Sequence, residues 1–251
     1  MKLYHELAEY YASIEETARS IETDVEFITG IMGDAEQPKL LDLGCGTGEH
    51  IAMLADKGFV CTGIDLSTDM IRIGRARFGS KITLIAKDMK DISYNNEFDC
   101  VISMFGSMNY LLTDEDVDAV FWNMWRALKD NASALLDIDS SSPLKKIKKK
   151  EISQVSATPY KSLMITRDRG FSLVSDENNK TLAEVNYNYT IKRGSQEHII
   201  EDKHIMRSFT LDELKPFVRS NGFTLTAVYA DSSRRPFTET SSRMLMVLKK
   251  R

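Results

Sequence analysis

With 251 residues, 42% of them hydrophobic and 28% charged, the chain is long enough for one domain or one and a half and has the composition of a packed globular protein. Its net charge of −4 argues against a protein that coats nucleic acid or anionic lipid by bulk electrostatics. No apolar run approaches the roughly 18 residues of a membrane span, and Met1-Lys2-Leu3-Tyr4-His5-Glu6 lacks the apolar core of a signal peptide, so a cytoplasmic setting without a membrane partner is expected. Cys45, Cys61 and Cys100 are odd in number and form no CxxC, and they read as small buried hydrophobes in a reducing compartment. His5, His50, His198 and His204 show no metal-ligand spacing, so no metal site is expected.

In chain order, apolar residues from Leu3 to Met32 recur every three or four positions and predict one helical stripe packed on the body. Ser13 followed by Glu16 is a capping-box pattern, which splits the run into a short helix and a longer one from about Ile14, with Gly33 as its stop. Residues 39–43 then form a strand, 48–57 a helix, 59–64 a second strand ending at Asp65, and 67–78 a helix capped by Ser67. Ile82 to Ala86, Phe98 to Met104 and Ala132 to Ile138 are three further strands, with a helix opening at Thr113 before the last. Strands alternating with helices of ten to fifteen residues predict right-handed crossovers and a doubly wound, Rossmann-like α/β sheet covered on both faces. Ligands meet such a sheet at the carboxyl ends of its strands, where Asp42, Asp65, Asp88, Phe105 and Asp139 converge.

After Ile138 the pattern changes. Ser140 to Pro143 reads as a loop and Lys145 to Lys150 as a basic run. Ala183, Val185, Tyr187, Tyr189 and Ile191 alternate with polar residues at the period of a half-buried antiparallel strand. Turn signals at Asn178-Asn179 and at Arg193-Gly194-Ser195 predict consecutive hairpins lying over the rim. A second capping box at Thr210 to Glu213, a strand at 223–229 and another from Arg243 finish a mostly parallel seven-stranded sheet. The expected division is a helical cap at 1–35, the Rossmann-like domain at 36–143 and 207–251, and the antiparallel insert, an acceptor-site cap, at 144–206.

Leu41-Asp42-Leu43-Gly44-Cys45-Gly46-Thr47-Gly48-Glu49 passes from a buried strand through three alternate glycines into a helix. A dinucleotide turn wants GxGxxG, and an acidic residue directly after the last glycine would repel a pyrophosphate while tolerating a zwitterion or cation. No Walker lysine follows, which removes a phosphate-gripping loop. Asp65 is placed to accept from ribose hydroxyls or to cap its own turn. Asp42 either accepts the N–H groups of its own turn or neutralises a positive ligand.

These residues, together with Gly63-Ile64-Asp65-Leu66-Ser67 and Met70, Lys87-Asp88-Met89 and Phe98-Asp99-Cys100-Val101-Ile102-Ser103, resemble the successive signatures of class I S-adenosylmethionine-dependent methyltransferases over residues 38–138. The resemblance implies S-adenosyl-L-methionine as cofactor and S-adenosyl-L-homocysteine as product. It brings the turn Gly44, Cys45, Gly46, Thr47 and Gly48 to the amino-acid part, Asp65 to the ribose, Leu66 and Met70 to the adenosine, and Asp88 with Met89 to the adenine, with Met104 and Phe105 completing the site. The family's Pro-Gly-Gly before the fifth strand is here Asp130-Asn131-Ala132, and Asn tolerates the left-handed turn required. Tyr11 with Arg19, and His204 to Thr210 leading to Gly222-Phe223, are similar in layout to small-molecule N-methyltransferases, glycine and amino-sugar enzymes included. In those relatives an N-terminal helix closes over the cofactor and an antiparallel insert shapes the acceptor site.

Methyl transfer from a sulfonium needs alignment and exclusion of water more than an obligatory catalytic group. The candidates for handling an acceptor are His204 as base and Tyr110 with Asn109 as orienting groups, while Tyr11 and Arg19 suit the cofactor carboxylate. The expected function is transfer to a small molecule, at an amine nitrogen, by a monomer or homodimer. Alternatives are a tRNA or other nucleic-acid methyltransferase anchored by the lysine run and a non-catalytic cofactor-binding module, with a nicotinamide dehydrogenase disfavoured by the glycine spacing.

Overall fold

The computed structural model describes residues 1–251 except 17–19, 34 and 178–179. Two helices come first, α1 (Tyr11–Glu16) and α2 (Ile21–Met32). Helix α2 starts later than the Ser13 pattern predicts, and Ser13 lies inside α1. The N-cap is Ser20, whose hydroxyl accepts the Thr23 N–H at 3.3 Å, with Glu22 and Asp24 at the positive end of the helix. Gly33 closes it with a φ of 64°.

The α/β body then runs β1 (Lys39–Leu43), α3 (Glu49–Asp56), β2 (Val60–Asp65), α4 (Thr68–Phe78), β3 (Thr83–Ala86), β4 (Phe98–Ser103), α5 (Asp114–Ala127) and β5 (Leu128–Asp139). Caps set these starts: the Ser67 hydroxyl accepts from Met70 N–H at 3.2 Å and the Thr113 hydroxyl from Asp116 N–H at 3.1 Å, each worth about 1 kcal/mol. Strand β5 begins four residues before the expected Ala132, and Asn131 takes the left-handed φ of 58° inside it. Next come α6 (Ser141–Ile147), β6 (Lys149–Tyr160), β7 (Leu163–Glu177), β8 (Lys180–Arg193), β9 (Gln196–Ser208), α7 (Leu211–Ser220), β10 (Phe223–Tyr229) and β11 (Arg243–Lys250). The expected loop at Ser140 to Pro143 is instead the start of α6, because Pro143 falls in the first turn, where a missing N–H costs nothing.

One sheet has the order β10-β11-β5-β4-β1-β2-β3, parallel from β5 to β3 and antiparallel at its β10-β11 edge. Its strands are apolar on both faces, as a covered parallel sheet requires. Leu41, Leu43 and Leu136 pack under Phe121 and Leu214 on one side, and Leu40, Ile102 and Leu135 pack under Ile28, Ile51 and Leu54 on the other. Each such side chain contributes roughly 1.5–3 kcal/mol of burial.

The second sheet, β6-β7-β8-β9, is antiparallel throughout. Ile165, Tyr189 and Ile200 on its apolar face cluster with Leu3, Leu7 and Ile14, so the sheet carries the N-terminal segment, which in turn crosses the strand ends, and its last strand reaches the rim where His204 and Arg207 meet Tyr110 and Asn109. The Ser67 hydroxyl donates to the Tyr4 carbonyl, and the Leu3 N–H donates to Asp202 Oδ2 at 2.7 Å, pinning that segment between the two sheets. No helix among the described residues is long and apolar enough to cross a membrane.

Candidate active site

The glycine turn is held by the neighbouring strand rather than by its own aspartate. Gly44 and Cys45 donate their N–H groups to the Ile64 carbonyl at 2.8 and 3.0 Å, and Gly46 donates to Asp65 Oδ2 at 2.8 Å. The other Asp65 oxygen accepts from Ser67 N–H at 2.8 Å. Gly44 has a φ of 78°, and a Cβ there would overlap the Ser107 side chain; at Gly46, φ 57°, a Cβ would come within 3.3 Å of the Tyr11 ring. These two positions therefore keep the backbone bare.

With the turn's amides committed to Ile64 and Asp65, Asp42 loses the first of its two expected roles. Its carboxyl is 2% exposed and its Oδ1 has no partner among the described residues. Burial pushes its pKa up to about 7, with the Asp65 charge adding to the shift and His50 opposing it. Asp65 is also raised, by burial, against its two backbone hydrogen bonds.

These groups open on a cavity of about 380 Å³. Gly44, Cys45, Gly46, Asp65, Leu66 and Asp88 line it below, and Tyr4, Tyr11 and Glu15 close it from the N-terminal segment. Met89, Met104, Phe105, Ser107 and Tyr110 complete the wall, while Ile205 is the only lining residue from the antiparallel sheet among the described residues. Carboxylates outnumber cations. Glu15 pairs with Arg167 at 2.5 Å and Glu49 pairs with Arg77, but Asp42 and Asp65 have no cation in contact among the described residues. A buried carboxyl with an idle oxygen, bare backbone at the turn, and tyrosine faces around them suit a positively charged, largely apolar ligand.

A family model for a methyltransferase domain matches residues 40–131. The chain is 31% identical over 211 residues to the candidate methyltransferase YqeM of Bacillus subtilis (strain 168), spanning 82% of this chain and 79% of that protein. The chain belongs to the S-adenosylmethionine-dependent methyltransferases. It is a class I enzyme of that family, and S-adenosyl-L-methionine is its cofactor. A solved S-adenosylmethionine-dependent methyltransferase from Clostridium acetobutylicum ATCC 824 has the same fold, with a TM-score of 0.82 at 17% identity over 98% of both chains. Over 84 residues, about a third of each chain, the present sequence is 38% identical to the dTDP-3-amino-3,4,6-trideoxy-alpha-D-glucopyranose N,N-dimethyltransferase of Streptomyces venezuelae.

Not every residue of the expected set faces the cavity of this methyltransferase. Thr47 is buried and its hydroxyl donates to Glu49 at 2.6 Å. Gly48 turns its Cα toward Ile82 and Leu84, and Met70 is fully buried beneath the site, so none of the three lines the wall. Arg19 lies outside the described residues. Asp88 Oδ1 accepts the Lys90 N–H at 2.9 Å and starts a 3-10 turn, leaving its second oxygen toward Lys90 Nζ at 3.8 Å.

Of the three acceptor-side candidates, only Tyr110 lines the cavity. Asn109 is fully buried and spends its side chain on structure: its amide donates to the Arg207 and Asp139 carbonyls at 2.7 and 3.3 Å, and its oxygen accepts the Asp139 N–H at 2.9 Å. It clamps β9 to β5 and, buried outside the cavity wall with both N–H donors taken, does not face a ligand. His204 is 1% exposed and stands behind Tyr110, its Nδ1 at 2.6 Å from the Tyr110 oxygen and its Nε2 at 2.9 Å from Asp202 Oδ2.

Several wall residues carry no motif. Tyr4 Oη lies 2.8 Å from Tyr110 Oη, joining groups 106 positions apart. Ser107 bridges the Gly44 and Met104 carbonyls at 3.2 and 3.1 Å. His50 meets the Phe105 ring edge-on at 4.7 Å and contacts Asp24 at 3.2 Å. Phe105 itself holds a φ of 56°, in the left-handed region, with its N–H on Asp137 Oδ2 at 3.0 Å. Tyr4 falls off the stripe of apolar residues that starts at Leu3, so no local pattern marks it, and only the fold brings it to Tyr110.

Proposed function

We propose that this methyltransferase acts on a small molecule and delivers the methyl group to an amine nitrogen. The cofactor, when bound, supplies a methyl group already activated on a sulfonium. The chain's own work is to bind, align and dry the reactants, which can account for about 7–11 kcal/mol of a barrier. In this reading Asp65 takes the ribose hydroxyls, Asp88 and Met89 border the adenine, and Asp42 faces the positively charged end. Tyr11, with Arg19, takes the carboxylate end, and Met104 and Phe105 border the reacting centre. The segments 1–35 and 144–206 form the cover over a cofactor domain made of 36–143 and 207–251.

The observation that carries the amine reading is the wall of Tyr4, Tyr11 and Tyr110 facing Asp42 and Asp65, the two lining carboxylates with no cation in contact among the described residues. A phenol ring and a carboxylate both favour a cationic or hydrogen-donating guest over a phosphate backbone. Partial likeness to an amino-sugar N,N-dimethyltransferase supports the same choice. The lysine run favours it too: Lys145 pairs with Asp176 at 2.8 Å and Lys149 with Glu151 at 2.6 Å, and neither lines the cavity. Incubation with methyl-labelled cofactor, a panel of primary amines that includes the dTDP-amino sugar, and a tRNA pool tests the proposal. Label on an amine is expected; label only on tRNA, fading steeply with salt, would overturn it.

A further inference from the structure

We propose that Tyr110 is the group that takes a proton from the acceptor and that His204, held by Asp202, is where that proton comes to rest. This rests on the amine reading and specifies the chemistry of the same site.

The hydrogen positions follow from the partners. Asp202 Oδ2 receives the Leu3 N–H at 2.7 Å and faces His204 Nε2 at 2.9 Å. A carboxylate only accepts, so Nε2 carries the imidazole proton and Nδ1 is left with its lone pair. The group facing Nδ1 is the Tyr110 hydroxyl at 2.6 Å, which must then donate. Its oxygen keeps lone pairs for a donor on the other side, where Tyr4 Oη stands at 2.8 Å. Both tyrosines line the cavity and the imidazole does not. The order from the cavity inward is therefore phenol, imidazole, carboxylate, with each hydrogen pointing inward.

The surroundings keep the imidazole neutral at rest, so that Nδ1 holds no proton of its own. Burial lowers the His204 pKa, overcoming the opposing pull of Asp202. From β7, Arg169 lowers it further, as does the amino group at Met1, while from β8 the Tyr187 ring packs at 5.2 Å and from the N-terminal segment the Tyr4 ring at 5.6 Å. Burial by itself would raise Asp202, but hydrogen bonds from His204 and from the backbone of Leu3 and Lys2 outweigh it and keep that carboxyl ionised. A neutral imidazole next to a carboxylate is a proton acceptor whose charged form is already paired.

The step balances as follows. An amine enters as an ammonium ion; one N–H proton passes to the Tyr110 oxygen while the phenol proton passes to His204 Nδ1, leaving a neutral amine with a lone pair. That pair forms the new N–C bond as the C–S bond breaks with its electrons going to sulfur. The product leaves as a secondary ammonium ion, and the proton on His204 returns to water on release.

The first measurement needs no acceptor. In protein labelled with nitrogen-15 at its four histidines, the His204 signals, assigned by their loss in His204→Gln, should show a ring that is predominantly neutral and protonated at Nε2 at neutral pH and above. Tyr110→Phe should move Nδ1 toward the position of a free nitrogen. A ring protonated at Nδ1, or cationic at neutral pH, overturns the proposal. The second uses the dTDP-amino sugar as acceptor probe. His204→Gln and Tyr110→Phe should each lower kcat by about tenfold or more at pH 7, with KM and cofactor affinity within twofold, and the loss should shrink as pH rises and the amine arrives already neutral. A loss equal at every pH marks a purely structural role and overturns the proposal. If the native enzyme leaves every amine unlabelled, the amine reading falls, and the nitrogen spectra still decide whether the hydrogens run inward.

Discussion

The two sides of the cavity are built by opposite means. The cofactor side is made within one stretch of sheet: the glycine turn, Asp42 and Asp65 lie within 24 positions, and backbone amides hold them. The acceptor side joins Tyr4, Tyr110, Asp202 and His204, whose hydrogen bonds link residues up to 199 positions apart. A site made of local backbone conformation is robust to changes elsewhere, whereas one made of distant side chains depends on both sheets docking correctly. Changes at four places, Asp42, Asp65, Asn109 and the lysine run, test that contrast.

The largest effect is expected at Asp42. Its pKa in the fold, pushed up to about 7 by burial, lies above the value of about 3.9 in an unfolded chain. At low pH both states are protonated and folding carries no cost from this group. As pH rises from about 4 to about 7 the unfolded chain ionises first, so stability falls, and above pH 7 the loss is complete. The difference corresponds to at most about 4 kcal/mol. Asp42→Asn should remove this fall, so that denaturation midpoints of variant and native protein agree near pH 4 and separate at pH 8 in favour of the variant. The same variant should bind the cofactor more weakly, since a neutral amide replaces a charge facing a cation. In the native protein, cofactor binding near pH 7 should release a proton, measured by calorimetry in buffers of different ionisation heat. Parallel pH profiles for the two proteins would break the assignment.

Asp65→Ala comes next and tests the same side. Losing a charged acceptor should weaken cofactor binding by about 1.5–3 kcal/mol, read by calorimetry. Because Asp65 also receives the Gly46 and Ser67 N–H groups, part of this loss is slackening of the turn. Asp65→Asn, which keeps one acceptor oxygen, should recover part of the affinity. Unchanged binding in Asp65→Ala would sink the ribose role.

The contrast also explains what the sequence reveals. Apolar runs closed by acids, with helices between, specify the parallel sheet, because strand and crossover are local patterns with one favoured hand. Glycine spacing and the acid after it specify the ligand class, since they fix where backbone is bare and where charge is wrong for phosphate. The N-terminal helix start was misplaced because Ser13 and Ser20 offer similar local caps, and only the packing of Leu7 and Ile14 against the second sheet decides between them. The insert was legible as antiparallel from its period of two. How it is seated was not, because that depends on which of its faces meets Leu3 and Leu7. Asn109 and His204 were nominated as free groups because sequence shows a residue type near a strand end and does not show its partners.

Asn109→Ala probes the joint between the two sides. It removes the donors to the Arg207 and Asp139 carbonyls and the acceptor of the Asp139 N–H, although the Asp139 carbonyl keeps the Phe209 N–H at 3.2 Å, and each buried group left unpaired costs about 1–3 kcal/mol unless water reaches it. The expected loss is about 2 kcal/mol of stability in urea. Cofactor affinity should change by less than threefold, because the glycine turn and Asp65 take none of their hydrogen bonds from this residue. A large drop in affinity would mean that the two sides are one cooperative unit.

The smallest effect is expected from the lysine run. Lys149 sits at the start of β6 with Glu151 as its partner at 2.6 Å, and the two side chains are 65% and 82% exposed. Exposed pairs of this kind contribute about 0–1 kcal/mol and fade with salt. Replacing Lys149 and Lys150 together by Ala should leave both the urea midpoint and cofactor affinity within about 0.5 kcal/mol of the native values. Turnover of an amine should be equally indifferent, since neither residue reaches the wall that Tyr4 and Tyr110 present. If instead the double variant loses turnover while keeping cofactor affinity, the acceptor is anchored from outside the cavity. In that case the second sheet contributes more to acceptor binding than Ile205 alone.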